Sequence, residues 1–387
     1  NNFSRIRMKN IKYYSLICFF IIFSCVSYNI SAAENENVLV EARDELKFES
    51  VIERTKKSVV LLSMNPNADP ETEPKKSGLC SGVVVDDIGH VITNFHCVYN
   101  SNYIRLYYYD EDDWQNYEVN VIGLDPLADL ALLKVIGKEE PIPYLEFAED
   151  AGKIKAGTDV FALGHPMGMA WTVTKGIISS NARYSRHPFI KAIQTDSAIN
   201  KGNSGGPLLN MKGEIVGINA LIISKNQQNA GVGLAIRGDI VKKSFESMLV
   251  TGRVDRPAVG IMIMSLIREK LRDKIIKEFP KLKPEFIPNT FGVFVRPDEH
   301  LPKGLKKFDT IIGVNGEMTN DGLQFSDELY KYKIGETITL TIIRKRKYMK
   351  VDVPLKVFPV NADKMYKALN KPRILEPIQP EKKEEKP

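Results

Sequence analysis

Ser204, His96 and Asp129 are residue types that acyl transfer needs, each in a setting that suits it. Ser204 lies in Gly202-Asn203-Ser204-Gly205-Gly206-Pro207. A serine hydroxyl attacks a carbonyl only when a base takes its proton and amide donors wait where the oxyanion forms. The surrounding glycines let the backbone turn tightly without Cβ clashes, so the N–H groups of Gly202 and Ser204 can point into one hole. His96, in Thr93-Asn94-Phe95-His96-Cys97, follows a short apolar run. It would take the Ser204 proton and return it to the leaving amine. Asp129, at the front of Asp129-Leu130-Ala131-Leu132-Leu133, would orient the imidazole. By itself the glycine-rich stretch also reads as a plain hairpin loop; the histidine and aspartate distinguish the two readings.

Other polar residues compete for these roles. Asp125 also precedes the Leu130 run, but Asp129 stands directly before it and is held better. His90 reads as a turn residue, His165 in Gly164-His165-Pro166 as a structural residue more than a substrate contact, and His187 and His300 as surface residues. Five scattered histidines with no Cys/His pair at ligand spacing lead us to expect no metal, and no cofactor is expected.

The elements that must position these groups are short and strand-like. Val59–Leu62, Gly82–Val85, His90–Thr93, Val119–Leu124, Leu130–Val135, Val160–Leu163 and Ile215–Asn219 are each broken by Gly, Pro, Asp or Asn. No regular strand–helix alternation occurs, which argues against a doubly wound sheet and for an all-β domain or pair of barrels. Helices are predicted at Asp44–Lys57 and Arg237–Leu249. Residues 258–357 read as a small α+β module. Its strands are predicted at Val259–Met264, Gly292–Val295, Thr310–Val314, Thr337–Arg344 and Lys350–Leu355, its helices at Ser265–Phe279 and Gln324–Tyr332. The expected organisation is therefore a leader (1–33), an N-terminal extension with a helix (34–57), a first domain (58–249), a linker (250–257), a second domain (258–357) and a polar tail (358–387).

Composition narrows the class. At 43% hydrophobic and 26% charged, the 387-residue chain is neither wholly disordered nor fibrous. Its net charge of +6 is uneven, since residues 1–33 hold Arg5, Arg7, Lys9 and Lys12 and no acid. The nearly neutral remainder argues against nucleic acid as the main partner. Those cations precede the apolar Leu16–Val26, and Ser31, Ala32 and Ala33 follow, the order of a secretory signal peptide cut after Ala33. A retained membrane anchor and a lipoprotein-type cut before Cys25 are the alternatives. All three imply export.

Residues 58–249 resemble the protease domain of the HtrA (Do/Deg) family of trypsin-like serine proteases. The resemblance rests on Ser81-Gly82-Val83-Val84-Val85, Val91-Ile92-Thr93-Asn94-Phe95-His96, Asp129-Leu130-Ala131-Leu132-Leu133-Lys134-Val135, the stretch Ala198 to Leu208, and Gly231-Val232-Gly233-Leu234-Ala235-Ile236. The chain order His, Asp, Ser is also that of chymotrypsin-like enzymes. Residues 258–357 resemble the PDZ domain that follows the protease in this family. There Phe308-Asp309-Thr310-Ile311-Ile312-Gly313-Val314-Asn315-Gly316 matches a family turn. The resemblance implies a two-barrel chymotrypsin-like fold and ATP- and metal-independent endoproteolysis of unfolded or damaged proteins outside the cytoplasm, most readily in a bacterial periplasm. It also implies a homotrimer or larger assembly. The oxyanion hole would be formed by Gly202 and Ser204. The S1 pocket would be drawn by Ala198, Ile199, Asn219, Ala220 and Leu221, favouring cleavage after small or medium aliphatic residues. The strand Val259, Gly260, Ile261, Met262 and Ile263 would take C-terminal peptides by β-augmentation beside the Gln324–Tyr332 helix. Asn181–Phe189, with Arg183 and Arg186, falls where family members sense an activating signal, and the short Asn65–Ser77 loop where larger family cages carry a long insertion.

Three departures stand out. Lys201 replaces the proline common before the oxyanion turn, which leaves that loop freer to change shape. Cys80 and Cys97, the cysteines remaining after the leader, resemble the bridge beside the catalytic histidine in secreted chymotrypsin-like enzymes; two free buried thiols are the alternative. The charged Arg268–Lys283 stretch replaces a smaller PDZ connection. Two further functions stay open, a chaperone-like or scaffolding homologue with weak or ligand-gated proteolysis and a dedicated processing protease with few substrates.

Overall fold

A computed structural model of the chain describes residues 47–358 apart from 65–78, 100, 102, 111–112, 139–140, 166–170, 185–190, 223–230, 267–268, 290 and 299. The leader, the proline-bearing loop after Met64 and the tail after Phe358 lie outside the described residues. Residues up to Arg54 and those from Thr55 form separate units. A helix, α1, covers 47–56.

From Val59 the chain builds one closed barrel from β1 (Val59–Ser63), β2 (Cys80–Val84), β3 (His90–Thr93), β4 (Arg105–Asp110), β5 (Asp113–Asp125) and β6 (Leu130–Val135), in the order β1-β2-β3-β6-β5-β4. A one-turn helix, α2 (Phe95–Val98), follows β3. The second closed barrel is β7 (Asp159–Gly164), β8 (Thr172–Tyr184), β9 (Lys191–Thr195), β10 (Pro207–Asn210), β11 (Ile215–Ile222) and β12 (Gly233–Arg237), in the order β10-β11-β12-β9-β8-β7. Closure explains the sequence pattern: no edge is left, and strands such as β1 and β3 are buried along their whole length. β5 runs well beyond the predicted Val119–Leu124, because its polar first half pairs with β4. Helix α3 (Gly238–Thr251) closes the domain and ends at Gly252, whose left-handed φ of 70° lets its N–H reach Met248 O.

A mixed α+β region follows. Its sheet runs β14 (Ile263–Ser265), β15 (Val293–Val295), β16 (Thr310–Val314), β18 (Thr337–Arg344), β19 (Lys347–Pro354), with β17 (Glu317–Met318) pairing β16. β13 (Pro257–Ala258) pairs β20 (Lys356–Val357). Val293, Val295, Ile311, Phe325, Leu340 and Val353 belong to its main core. Helix α4 (Glu269–Glu278), from the charged insertion, builds a second small core of Leu266, Ile275, Leu282, Ile287 and Phe294. Helix α5 (Gly322–Leu329) starts two residues before the predicted Gln324, because the Asp321 carboxylate caps the N–H groups of Leu323 and Gln324. The strand predicted at Val259–Met264 is shorter: Gly260 takes a φ of 67°, so 259–262 form a loop and extended pairing begins only at Ile263.

Candidate active site

His96, Asp129 and Ser204 converge where the barrels meet. The one-turn helix α2 presents His96 half-exposed. Asp129 precedes β6 and occupies a left-handed φ of 56°, rare for a residue with a Cβ. That twist lets one carboxylate make two contacts with His96: Oδ1 accepts the backbone N–H at 2.9 Å and Oδ2 meets Nδ1 at 2.7 Å. The Asp129 carbonyl accepts from Phe95 N–H and the Asn94 side chain, each at 3.0 Å, tying the turn before β6 to the turn after β3. With Nδ1 facing a carboxylate, Nε2 is the nitrogen left for proton exchange. The Ser204 hydroxyl donates to Ala220 O at 3.4 Å, and no hydrogen bond joins it to His96 in this structure.

The turn bearing Ser204 is held from the opposite barrel. Gly202 adopts a φ of 107° and Gly205 a φ of 84°. A Cβ on Gly205 would sit 2.2 Å from both Ser81 O and Thr93 Oγ1, so only glycine fits. Among the described residues the N–H groups of Gly202 and Ser204 meet no acceptor, whereas those of Asn203, Gly205 and Gly206 are taken by Asn200 O, Asn219 O and Asn203 O. Ser81 anchors the loop. Its N–H donates to Ser204 O at 2.8 Å, its hydroxyl to Gly202 O at 2.7 Å, and that hydroxyl accepts from His165 N–H at 2.9 Å. Sequence reasoning took Ser81 only as part of a strand motif; a hydroxyl at an otherwise apolar, buried strand position was the available signal.

Asp125 is fully buried but serves elsewhere. It forms a two-pronged pair with Arg256 and accepts from the Ser244 hydroxyl at 2.7 Å and the Ala128 N–H at 3.1 Å. Burial alone would lower the Arg256 pKa, and the Asp125 charge and hydrogen bonds outweigh it and raise it.

Cys80 and Cys97 form a disulfide that joins the start of β2 to α2, beside His96. Cys80, His96 and Cys97 would put three ligand-type atoms within 4.8 Å of one another, but both sulfurs are spent in that bond. Replacing both cysteines by serine should cost about 3 kcal/mol, as the bridge shortens the loop between them in the unfolded chain. Urea midpoints for the two proteins measure this, and coincident curves would refute the stapling role.

His165 is fully buried between the barrels, its ring near the Val59 carbonyl at 3.3 Å and tilted by 45° against Trp171. Desolvation drives its pKa down to about 4, against the opposing pull of the Val59 carbonyl. The folded chain therefore holds it neutral, while the unfolded chain takes up the proton near pH 6.5. Its contribution to stability is intact above that pH and falls as the pH drops toward 4, by on the order of 3 kcal/mol. Urea midpoints from pH 7 to 4.5 should fall less steeply for His165→Asn than for the wild type; equal slopes would refute the assignment.

Of the residues assigned to S1, Ile199 is buried against Gly233, where an added Cβ would meet Ile199 Cδ1 at 2.7 Å. The Ala198 carbonyl is held by Thr174 Oγ1 at 2.9 Å. Asn219 and Ala220 are buried in β11; Leu221 lies on the same strand, its side chain outside the described residues. Gly233 was not singled out from sequence, although its glycine-bounded motif marked it. Arg183 pairs with Gln194 through Nε at 2.9 Å, and Arg186 lies outside the described residues. In the α+β region Val259 is buried, Met262 is exposed, and Ile261 and Ile263 pack onto the core. β14 and α5 touch where Gly322 N–H donates to Ser265 Oγ at 2.8 Å.

Two closed six-stranded barrels followed by this α+β region define a trypsin-like protease fold with a PDZ-like companion. A family model for the trypsin-like peptidase domain matches residues 80–218, and one for the PDZ domain matches 280–355. The probable periplasmic serine endoprotease DegP-like of Brucella suis is 31% identical over 283 residues, covering 72% of this chain and 52% of that protein. The periplasmic serine endoprotease DegP of Escherichia coli is 31% identical over 287 residues, covering 73% of this chain and 58% of that protein. The chain thus spans about half the length of the curated relatives it matches. Among solved structures, the HtrA-type protease AlgW with tripeptide superposes with a TM-score of 0.65 at 26% identity, covering 81% of this chain and 98% of that one. The serine endoprotease from Yersinia pestis gives 0.62 at 26% identity, over 81% and 98% of the two chains. The chain belongs to the HtrA/DegP-like family of trypsin-type serine proteases with a PDZ domain.

Proposed function

We propose that this protein is an ATP-independent serine endopeptidase that cleaves unfolded or damaged polypeptides outside the cytoplasm, after small or medium aliphatic residues. The observation that carries the proposal is the convergence of His96, oriented by Asp129, with Ser204 and with N–H groups at Gly202 and Ser204 that meet no acceptor among the described residues. His96 Nε2 takes the Ser204 proton as Oγ attacks the scissile carbonyl. The two N–H groups receive the oxyanion, and the imidazolium, steadied by Asp129, protonates the leaving amine. Water then repeats the sequence on the acyl-enzyme. No acid lies at Ala198 or Ile199 to pair with a basic side chain, which supports an aliphatic preference.

The PDZ-like region would bind C-terminal peptides between β14 and α5, and a homotrimer is the assembly expected of the family. The relatives are named periplasmic, and the basic–apolar–small order of residues 1–33 supports export to that compartment. Among the described residues no helix is long and apolar enough to cross a membrane.

A second reading has its own support. Because Ser204 donates to Ala220 O instead of His96, this reading has full activity wait on a bound peptide that brings the pair together. Fluorophosphonate labelling of the full chain, with and without an unfolded peptide, separates the readings when set beside casein cleavage and a Ser204→Ala control. Labelling of intact Ser204 alone supports constitutive proteolysis, and labelling only with peptide supports gating. No labelling of folded protein in either state would overturn both.

A further inference from the structure

We infer that the tip of the β18–β19 hairpin is a docking prong for an anionic phospholipid bilayer. The two strands pair without interruption from Thr337↔Pro354 to Arg344↔Lys347, and the connecting turn is Lys345-Arg346. Both turn residues take left-handed φ angles, 48° and 68°. Asn-Gly or Gly-Gly serves such a turn with least strain. Two long cationic side chains there oppose local preference and repel each other, the kind of conflict retained where a surface has work to do.

The surroundings deepen the charge. Lys347 and Lys350 continue β19, and Lys306 and Lys307 lie on the neighbouring turn, which Arg344 ties to the hairpin through Asp309 and Gly304 O. Arg344 is committed to the buried Asp309, and none of the other six cations has an ion-pair partner among the described residues. Tyr348 is 72% exposed and Met349 40%. Adjacent in a strand, they project from opposite faces. The tip is therefore an exposed, basic turn with an apolar group on each side, on a chain whose charges otherwise nearly balance.

That shape and chemistry fit a bilayer interface, where an aromatic ring and a thioether enter the headgroup region while cations meet phosphates. A nucleic acid would call for a basic groove or stripe instead, and the extracytoplasmic reading on which this inference rests removes it from reach. Topology agrees: β19 lies at the opposite end of the sheet from β14, so a docked prong leaves the proposed peptide groove open.

The test is co-sedimentation of the full chain with vesicles of phosphatidylethanolamine and phosphatidylglycerol, against vesicles of phosphatidylcholine alone. The variant Lys345→Asn/Arg346→Gly/Lys347→Gln removes three cations and relaxes the turn, so it should melt no lower than the wild type. Its partitioning onto anionic vesicles should fall at least tenfold, and Tyr348→Ser should weaken it several-fold. Ser204→Ala should bind as the wild type does, which separates failure of this inference from failure of the protease assignment. Equal binding to phosphatidylcholine, or unchanged binding by the turn variant, would assign any membrane affinity elsewhere and overturn the proposal. So would displacement by millimolar inorganic phosphate, which would mark a simple anion site, or tighter binding to an oligonucleotide than to vesicles.

Discussion

Asp129→Asn is expected to lower kcat by roughly 10⁴-fold on an aliphatic peptide substrate while leaving the chain folded. Asp129 accepts twice from His96, at Nδ1 and at the backbone N–H. An amide can keep one of those bonds, but its NH₂ group facing Nδ1 reverses the polarity. The ring then carries its proton on Nε2, where the base must be empty. KM should change little, because substrate contacts are untouched. Activity within tenfold of the wild type would show that Asp129 does not orient the base. Asp125→Asn is the informative companion, because that residue is also an aspartate and close in sequence but hydrogen-bonds Ser244 and Arg256 and not His96.

Arg256→Met should be the most destabilising of the variants considered, by roughly 3–5 kcal/mol, because it leaves the fully buried Asp125 carboxylate without its cation. In a chain of this size that corresponds to a fall in Tm of about 4–8 °C. The Ser244 hydroxyl and Ala128 N–H remain, yet neither neutralises the charge. The double variant Arg256→Met/Asp125→Leu should recover part of the loss, because the desolvation cost disappears with both charges. A single variant that melts within about 2 °C of the wild type would show that the pair is dispensable. The pair also links elements far apart in sequence. Asp125 ends β5, Ser244 lies on α3, and Arg256 precedes the first strand of the α+β region. The Lys191–Asp327 pair at 2.9 Å makes a second connection, from the second barrel to α5. Burial near this cluster also pushes the Tyr330 phenol pKa upward.

Much of the architecture is legible from sequence because closed barrels bury short strands on both faces. Val59–Leu62, Val91–Ile92 and Leu130–Leu133 are uninterrupted apolar runs, and glycines, prolines and acids mark breaks between such runs. The errors cluster where pairing or backbone angle overrides composition. The polar first half of β5 is a strand because β4 supplies a ladder. The apolar run from Val259 is mostly loop, because Gly260 turns through a left-handed angle that no hydropathy pattern reports.

The chemistry divides in the same way. Residue type and local motif named His96, Asp129 and Ser204, because a nucleophile, a base and an orienting acid carry recognisable neighbours wherever they lie in a chain. Sequence also favoured Asp129 over Asp125, by its place directly before β6. Tertiary structure alone decided the rest. It turned Asp125 into an ion-pair partner for a residue 131 positions away. It set the Ser81 hydroxyl across the barrel interface to hold the turn at Gly202, and it rested the Ser204 hydroxyl on Ala220 O instead of His96. Local sequence specifies what a residue can do chemically, but hydrogen bonds and buried charges are satisfied by whatever groups the folded barrels bring near, and that proximity exists only after the chain has closed.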